Sequence, residues 1–180
     1  MRQKDDFYRT TPGFAHALFQ NAADVLPDVF WECAVGDGAL VDVAEQYGKQ
    51  AVGSDIVVRG TVGIFRDFFD FTEAWKPFII TNPPFKHIRP WVRHGFKIGV
   101  QGMALLHGHS FWSCAPGFKL WNEHKPHIVG QMTFREDFLG KGGNPNMTLA
   151  WSIWLSPKND GECAYRLWGK PIIGGLFDER

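Results

Sequence analysis

Apolar residues recur along this chain at two periods, three to four residues and two residues, and the switches between them mark out the elements. Thr11-Pro12 reads as an N-cap with Pro at the first helical position. Phe14, Ala17 and Leu18 then recur at helical spacing, which predicts a helix from Pro12 to about Val25. Val29 to Ala34 reads as a buried strand, Gly36-Asp37-Gly38 as a turn, and Ala39 to Tyr47 as a helix with Leu40, Val43, Ala44 and Tyr47 on one side. Further strands are predicted over Gln50–Ile56, Thr61–Phe65, Phe78–Ile80, Met103–Leu106, Ile128–Phe134 and Thr148–Leu155, and a helix over Ile88–Ile98. The strand at Phe78 must stop at Asn82-Pro83-Pro84, because proline cannot donate to a ladder. Residues 140–146, rich in Gly, Asn and Pro, read as a loop between the last two strands, and Pro171–Gly175 as a packed tail. Strands alternating with helices predict an α/β domain with a mostly parallel sheet.

A chain of 180 residues is one domain's length and can bury a core without disulfides or metal. Cys33, Cys114 and Cys163 form no CxxC pair, which points away from a disulfide framework and toward the cytoplasm. No apolar run is long enough for a membrane span, and the charged start, Met1 to Asp6, does not read as a secretory signal.

Nineteen Lys and Arg balance nineteen Asp and Glu, which excludes a globally basic nucleic-acid binder. The charge is nevertheless divided by position. Residues 1–73 carry twelve acids and six bases, whereas residues 74–122 carry six bases and no acid. Lys86, Arg89, Arg93 and Lys97 recur at helical spacing within that basic segment, as a phosphate track or a solvated helix face would. His107-x-His109 and His124-x-x-His127 lack a carboxylate or Cys partner nearby in sequence, so no metal is expected.

Two constellations carry chemistry. A strand, then Gly36-x-Gly38, then a helix lets a nucleotide-type cofactor approach the backbone. Asp55, nineteen residues beyond Gly36 at the end of the second strand, suits ribose hydroxyls. Val41 replaces the third glycine of a dinucleotide fingerprint, and no Lys follows to make a P-loop. The second constellation is Asn82-Pro83-Pro84-Phe85. Its prolines stiffen the backbone and leave carbonyls without ladder partners beside the Asn82 side-chain carbonyl, a rigid set of acceptors for an exocyclic amine. Phe85 could stack on a planar base.

Together these motifs resemble the S-adenosylmethionine-dependent amino-methyltransferases, and among them the adenine-N6 DNA methyltransferases of the small phage or bacterial type. Glu32 to Gly38 resembles that family's first cofactor motif, Ser54-Asp55-Ile56 the second, and Asp67-Phe68-Phe69 the third. Asn82-Pro83-Pro84-Phe85 resembles the catalytic motif, and Phe7 to Pro12, with Thr10 and Thr11, the segment that grips the methionine end of the cofactor. The motif order is that of the gamma-type arrangement. Arg135–Phe138 and Thr148–Trp154 resemble its closing hairpin.

The resemblance implies a Rossmann-like class I methyltransferase fold over residues 1–180, a mostly parallel seven-stranded sheet with a reversed C-terminal strand and no separate target-recognition domain. It implies S-adenosylmethionine as cofactor, held by Thr10, Thr11, Glu32, Gly36, Gly38, Asp55, Ile56, Asp67 and Phe68. It implies Asn82, Pro83, Pro84 and Phe85 as the catalytic set, with Lys86, Arg89, Arg93 and Lys97 on the nucleic acid. The activity expected is methylation of adenine N6 in DNA, with weak sequence preference. Adenine in RNA, a glutamine side-chain amide in a protein, and a non-catalytic cofactor-binding module are the alternatives.

Overall fold

The structure, a computed structural model, describes residues 9–57, 59–60, 63–137 and 147–173. Four helices and eight strands follow in chain order: α1 (Pro12–Ala22), β1 (Val29–Glu32), α2 (Ala39–Gln46), β2 (Gln50–Asp55), β3 (Ile64–Phe65), β4 (Phe78–Thr81), α3 (Ile88–Lys97), β5 (Gly102–Gly108), α4 (Ala115–Glu123), β6 (Ile128–Met132), β7 (Leu149–Trp154) and β8 (Ala164–Trp168). They form one sheet of order β3-β2-β1-β4-β5-β7-β6-β8. The pairs from β3 through β5 are parallel, β7 runs antiparallel to both β5 and β6, and β8 is parallel to β6.

The central strands are buried on both faces, as a parallel sheet covered by crossover helices requires. Successive side chains therefore feed opposite cores. Phe30, Ile80, Leu106 and Trp151 enter the core shared with Phe14, Leu18 and Phe19 of α1 and Leu40 and Val43 of α2. Trp31, Ile79, Leu105 and Trp154 enter the opposite core with Trp91 and Val92 of α3 and Leu120 of α4. The reversed strand also holds the start of the chain. Trp151 Nε1 donates to the Phe14 carbonyl at 2.9 Å, and Gln20 Nε2 donates to the Ile172 carbonyl at 2.9 Å.

The sequence-based expectations need four corrections. The sheet has eight strands, and the reversed strand β7 is followed by the parallel edge strand β8. Helix α4 lies where no element was predicted. Helix α1 ends at Ala22, short of Val25. Of the predicted packed tail, Pro171 is buried but Ile172 and Ile173 are 86% and 54% exposed, and Gly174 and Gly175 lie outside the described residues. The predicted loop 140–146, Thr61 of the predicted third strand, Phe138 of the closing hairpin, and Phe7 and Tyr8 lie outside the described residues.

Candidate active site at the ends of strands β1, β2 and β4

Strand order reverses between β1 and β4, so the connections leaving these strands diverge and open a crevice at their carboxyl ends. There a cleft of about 320 Å³ is lined from four stretches of the chain: Thr10, the turn Glu32–Asp37, Asp55 and Ile56 with Arg59, and Asn82-Pro83-Pro84 with His87 and Trp91. Asp67, Phe68 and Phe69 complete the wall.

The glycine turn is held from the next strand. Gly36 and Gly38 adopt φ of 57° and 90°, the left-handed region that side chains other than glycine's enter at a cost. Asp55 Oδ2 accepts the Gly36 N–H at 2.8 Å, and its Oδ1 accepts the Val57 N–H at 2.9 Å and Arg59 Nη1 at 3.4 Å. Each carboxylate oxygen has more than one lone-pair direction, so Asp55 retains acceptor capacity toward the cleft that it lines. Arg9 closes the turn from outside through a 2.6 Å ion pair with Asp37, which places Thr10 in the cleft wall. Thr11 is the N-cap residue of α1, but its side chain makes no capping bond and it does not line the cleft. Gly38 is absent from the lining as well; its role is the backbone turn that starts α2.

Glu32 ends β1 almost fully buried, at 1% exposure. One carboxyl oxygen accepts the Ala34 N–H at 3.1 Å and the Thr81 hydroxyl. Burial pushes its pKa up to about 8, against the pull of these two donors, and the nearby Asp55 adds to the rise. Glu32 therefore carries its proton at neutral pH.

The third motif splits into two roles. Asp67 Oδ1 accepts the Phe69 N–H at 2.9 Å and caps a 3₁₀ turn over Phe68–Asp70. Phe68 is 1% exposed and stacks on Trp91, ring centroids 4.5 Å apart and planes 14° apart. Phe69, 39% exposed, offers the more accessible ring in the wall, facing a cleft that Ile56, 47% exposed, also lines. Sequence reasoning named Phe68 and passed over Phe69, Arg59, His87 and Trp91.

Asn82, Pro83 and Pro84 leave β4 directly into the cleft. The Pro84 carbonyl accepts the His87 N–H at 2.8 Å, which starts the turn leading into α3. Phe85 is half-buried between the two cores and is not among the cleft-lining residues.

The basic stripe does not stand free along its length. Arg89 Nη2 donates to the Phe111 carbonyl and to Cys114 Sγ, each at 2.9 Å, and its guanidinium lies 4.7 Å from the Phe111 ring centre. Arg93 donates to Glu123 of α4 at 2.6 Å. Lys86 and Lys97 are exposed. Three histidines outside the cleft have local partners. His107 is fully buried with its Nε2 2.7 Å from Ser152 Oγ and its Nδ1 2.9 Å from the Gly108 carbonyl, and burial lowers its pKa to about 4. His124 stacks on Phe96, and His127 Nδ1 accepts the Leu155 N–H. Among the described residues no group of His, Cys, Asp and Glu is placed to hold a metal ion.

No protein-family model matches this chain, and no curated protein does. Solved structures do match. A Pyrococcus horikoshii protein assigned by inference to the RNA methyltransferases superposes with a TM-score of 0.55 at 14% identity, over 87% of this chain and 90% of its own. A dimethyladenosine transferase from Plasmodium falciparum gives 0.57 at 11%, over 83% and 63%. Magnesium protoporphyrin IX methyltransferase from Synechocystis, with S-adenosylmethionine bound, gives 0.55 at 12%, over 79% and 77%. The fold is that of the class I methyltransferases. These matched proteins differ in substrate as widely as RNA and a porphyrin, so the fold alone leaves the acceptor open.

Proposed function

We propose that this protein transfers a methyl group from S-adenosylmethionine to the N6 amine of adenine in DNA. The observation that carries the reading is that Asn82-Pro83-Pro84 opens into the same cleft as the glycine turn and Asp55. The residues present suit the cofactor. Asp55 and Asp67 supply acceptors for hydroxyls and an amine, Ile56 and Phe69 an exposed apolar wall, and Glu32 a carboxyl that can ionise toward a cation. When bound, the cofactor supplies an electrophilic methyl group on a sulfonium.

The chain's own part is positioning. The Asn82 side-chain carbonyl and the Pro83 carbonyl accept the two hydrogens of the acceptor amine, which turns its nitrogen toward the methyl and raises electron density there. The proline pair keeps these acceptors from rotating away. An adenine in a duplex must leave the stack to reach them, at a cost of a few kcal/mol that is lowest for single strands.

A second reading, methylation of a glutamine amide in a protein, gains from the internal engagement of Arg89 and Arg93. One experiment separates the two. Labelled cofactor is offered with unmethylated DNA, RNA and protein extract, using wild type and Asn82→Ala. Label in adenine of DNA, slowed about 10²–10³-fold in the variant with cofactor affinity unchanged, is the expected outcome. Label in protein alone, or wild-type turnover by Asn82→Ala, refutes the reading.

A further inference from the structure

We propose that His87 accepts the proton that the acceptor amine must release. The inference rests on the amine-methylation reading above and adds a residue to it. As the methyl group moves to nitrogen, its bond to sulfur breaks and the electron pair stays on sulfur. The nitrogen then carries one bond too many for a neutral amine, and an N–H bond must break. The pair of that bond returns to nitrogen, and the proton leaves the carbonyl that held it and needs a basic acceptor beside Asn82.

The other titratable groups of the cleft each already hold a proton or a partner. Glu32 already carries a proton at neutral pH. Cys33 is buried, and its sulfur accepts the Trp91 indole N–H at 3.1 Å. Asp37 is paired with Arg9, and Asp55 accepts two backbone N–H groups and Arg59. Asp67 caps its own turn. Arg59 is a cation and cannot take a proton.

His87 differs from all of these. Its backbone N–H is fixed to the Pro84 carbonyl at 2.8 Å, so the residue is tied to the amine-accepting loop by one turn of 3₁₀ helix. His87 is exposed and lines the cleft, and its ring makes no hydrogen bond or ring contact among the described residues. A neutral imidazole also carries a ring nitrogen with a lone pair free to take a proton. The open rim of the cleft lets the proton pass on to solvent after the product leaves.

The test is the single-turnover rate on adenine-containing single-stranded DNA from pH 5.5 to 8.5, for wild type, His87→Gln, and His87→Ala with and without imidazole. The wild-type rate should fall toward acid pH. His87→Gln should be about 10²-fold slower at pH 7.5 and lack that acid limb, with cofactor affinity within twofold of wild type. Imidazole should restore part of the rate to His87→Ala and none to Asn82→Ala. An unchanged acid limb in His87→Gln, or no rescue of His87→Ala, overturns the role of His87 while leaving the methyl-transfer reading intact. Wild-type protein that methylates no nucleic acid at all overturns both.

Discussion

Removing the Asp55 carboxylate should damage the fold and the cofactor site together, and the size of the effect follows from its bonds. In Asp55→Ala the Gly36 and Val57 N–H groups lose their acceptor at 2.8 and 2.9 Å, and Arg59 loses a partner at 3.4 Å. Gly36 is buried, so water cannot readily replace the lost oxygen, whereas Val57 is half-exposed and recovers part of its bond from solvent. Hydrogen bonds to a charged group contribute about 1.5–3 kcal/mol each. With partial recovery at Val57 and a weak Arg59 contact, the net loss comes to about 2–4 kcal/mol. For a domain of this size each kcal/mol moves the melting point by about 2–4 °C, so a fall of roughly 5–15 °C is expected. Thermal melts with and without S-adenosylmethionine, and calorimetric titration of the cofactor, make the measurement. The cofactor should add less to the melting point of the variant than to that of wild type. Asp55→Asn should fall between, because it keeps one acceptor but turns an amide N–H₂ toward a backbone donor. A melting point within 2 °C of wild type, with cofactor affinity unchanged, would show that neither the turn nor the ligand depends on Asp55.

Other outcomes follow from the same geometry. Glu32 has a folded pKa of about 8 against an ordinary 4.5, so the folded chain holds a proton that the unfolded chain releases, and stability falls as pH rises through that window. His107 acts in the opposite sense: with a folded pKa of about 4 against 6.5, its contribution is lost as pH falls from 6.5 to 4. The two oppose each other between pH 4.5 and 6.5, so denaturant unfolding of Glu32→Gln should show a steeper acid loss than wild type, and parallel pH profiles would refute the assignment. In salt titrations of DNA binding, Lys86→Ala should reduce the slope by about 0.7–0.9, whereas Arg93→Ala, already paired with Glu123, should change it by less than about 0.3. Equal effects of the two would return Arg93 to the phosphate-contacting surface.

The glycine turn, the carboxylate after it and the proline pair were legible because each needs a residue type that few others can replace. Gly36 and Gly38 sit at positive φ, and Pro83 must end a strand. Strands β1 and β4 were legible from the apolar runs Val29-Phe30-Trp31 and Phe78-Ile79-Ile80. The edge strand β8 was not legible, because a strand open on one side carries little periodicity: Ala164 to Leu167 are all exposed and only Trp168 is buried. Helix α4 was missed for a similar reason, since Gly117 and Leu120 are its only buried residues. Within the site, sequence could not decide which of two adjacent phenylalanines turns inward, because the 3₁₀ turn that buries Phe68 and exposes Phe69 is set by the Asp67 cap and by stacking on Trp91. A signal for His87 was present but unused: a turn of three residues after Pro84 brings position 87 back to the loop that it follows. Arg89 and Arg93 had the spacing of a phosphate track, but helical spacing does not reveal that α4 and the Phe111 turn lie against the same face.

The bonds from Trp151 to Phe14 and from Gln20 to Ile172 join residues 137 and 152 positions apart. At a synthesis rate of roughly 5–20 residues per second, α1 waits about 7–27 s on the ribosome before Trp151 is made. During that interval Thr10, in the cleft wall, hangs from a helix that has α2 beside it but lacks its bond to the reversed strand. The nascent chain should therefore acquire cofactor affinity in one late step, after the sheet's far half has emerged, and ribosome-stalled chains of increasing length would show whether binding instead begins as soon as β4 is complete. Where an early helix receives its last partner from a late strand, the ribosome's own pace sets how long part of its apolar face stays within reach of chaperones.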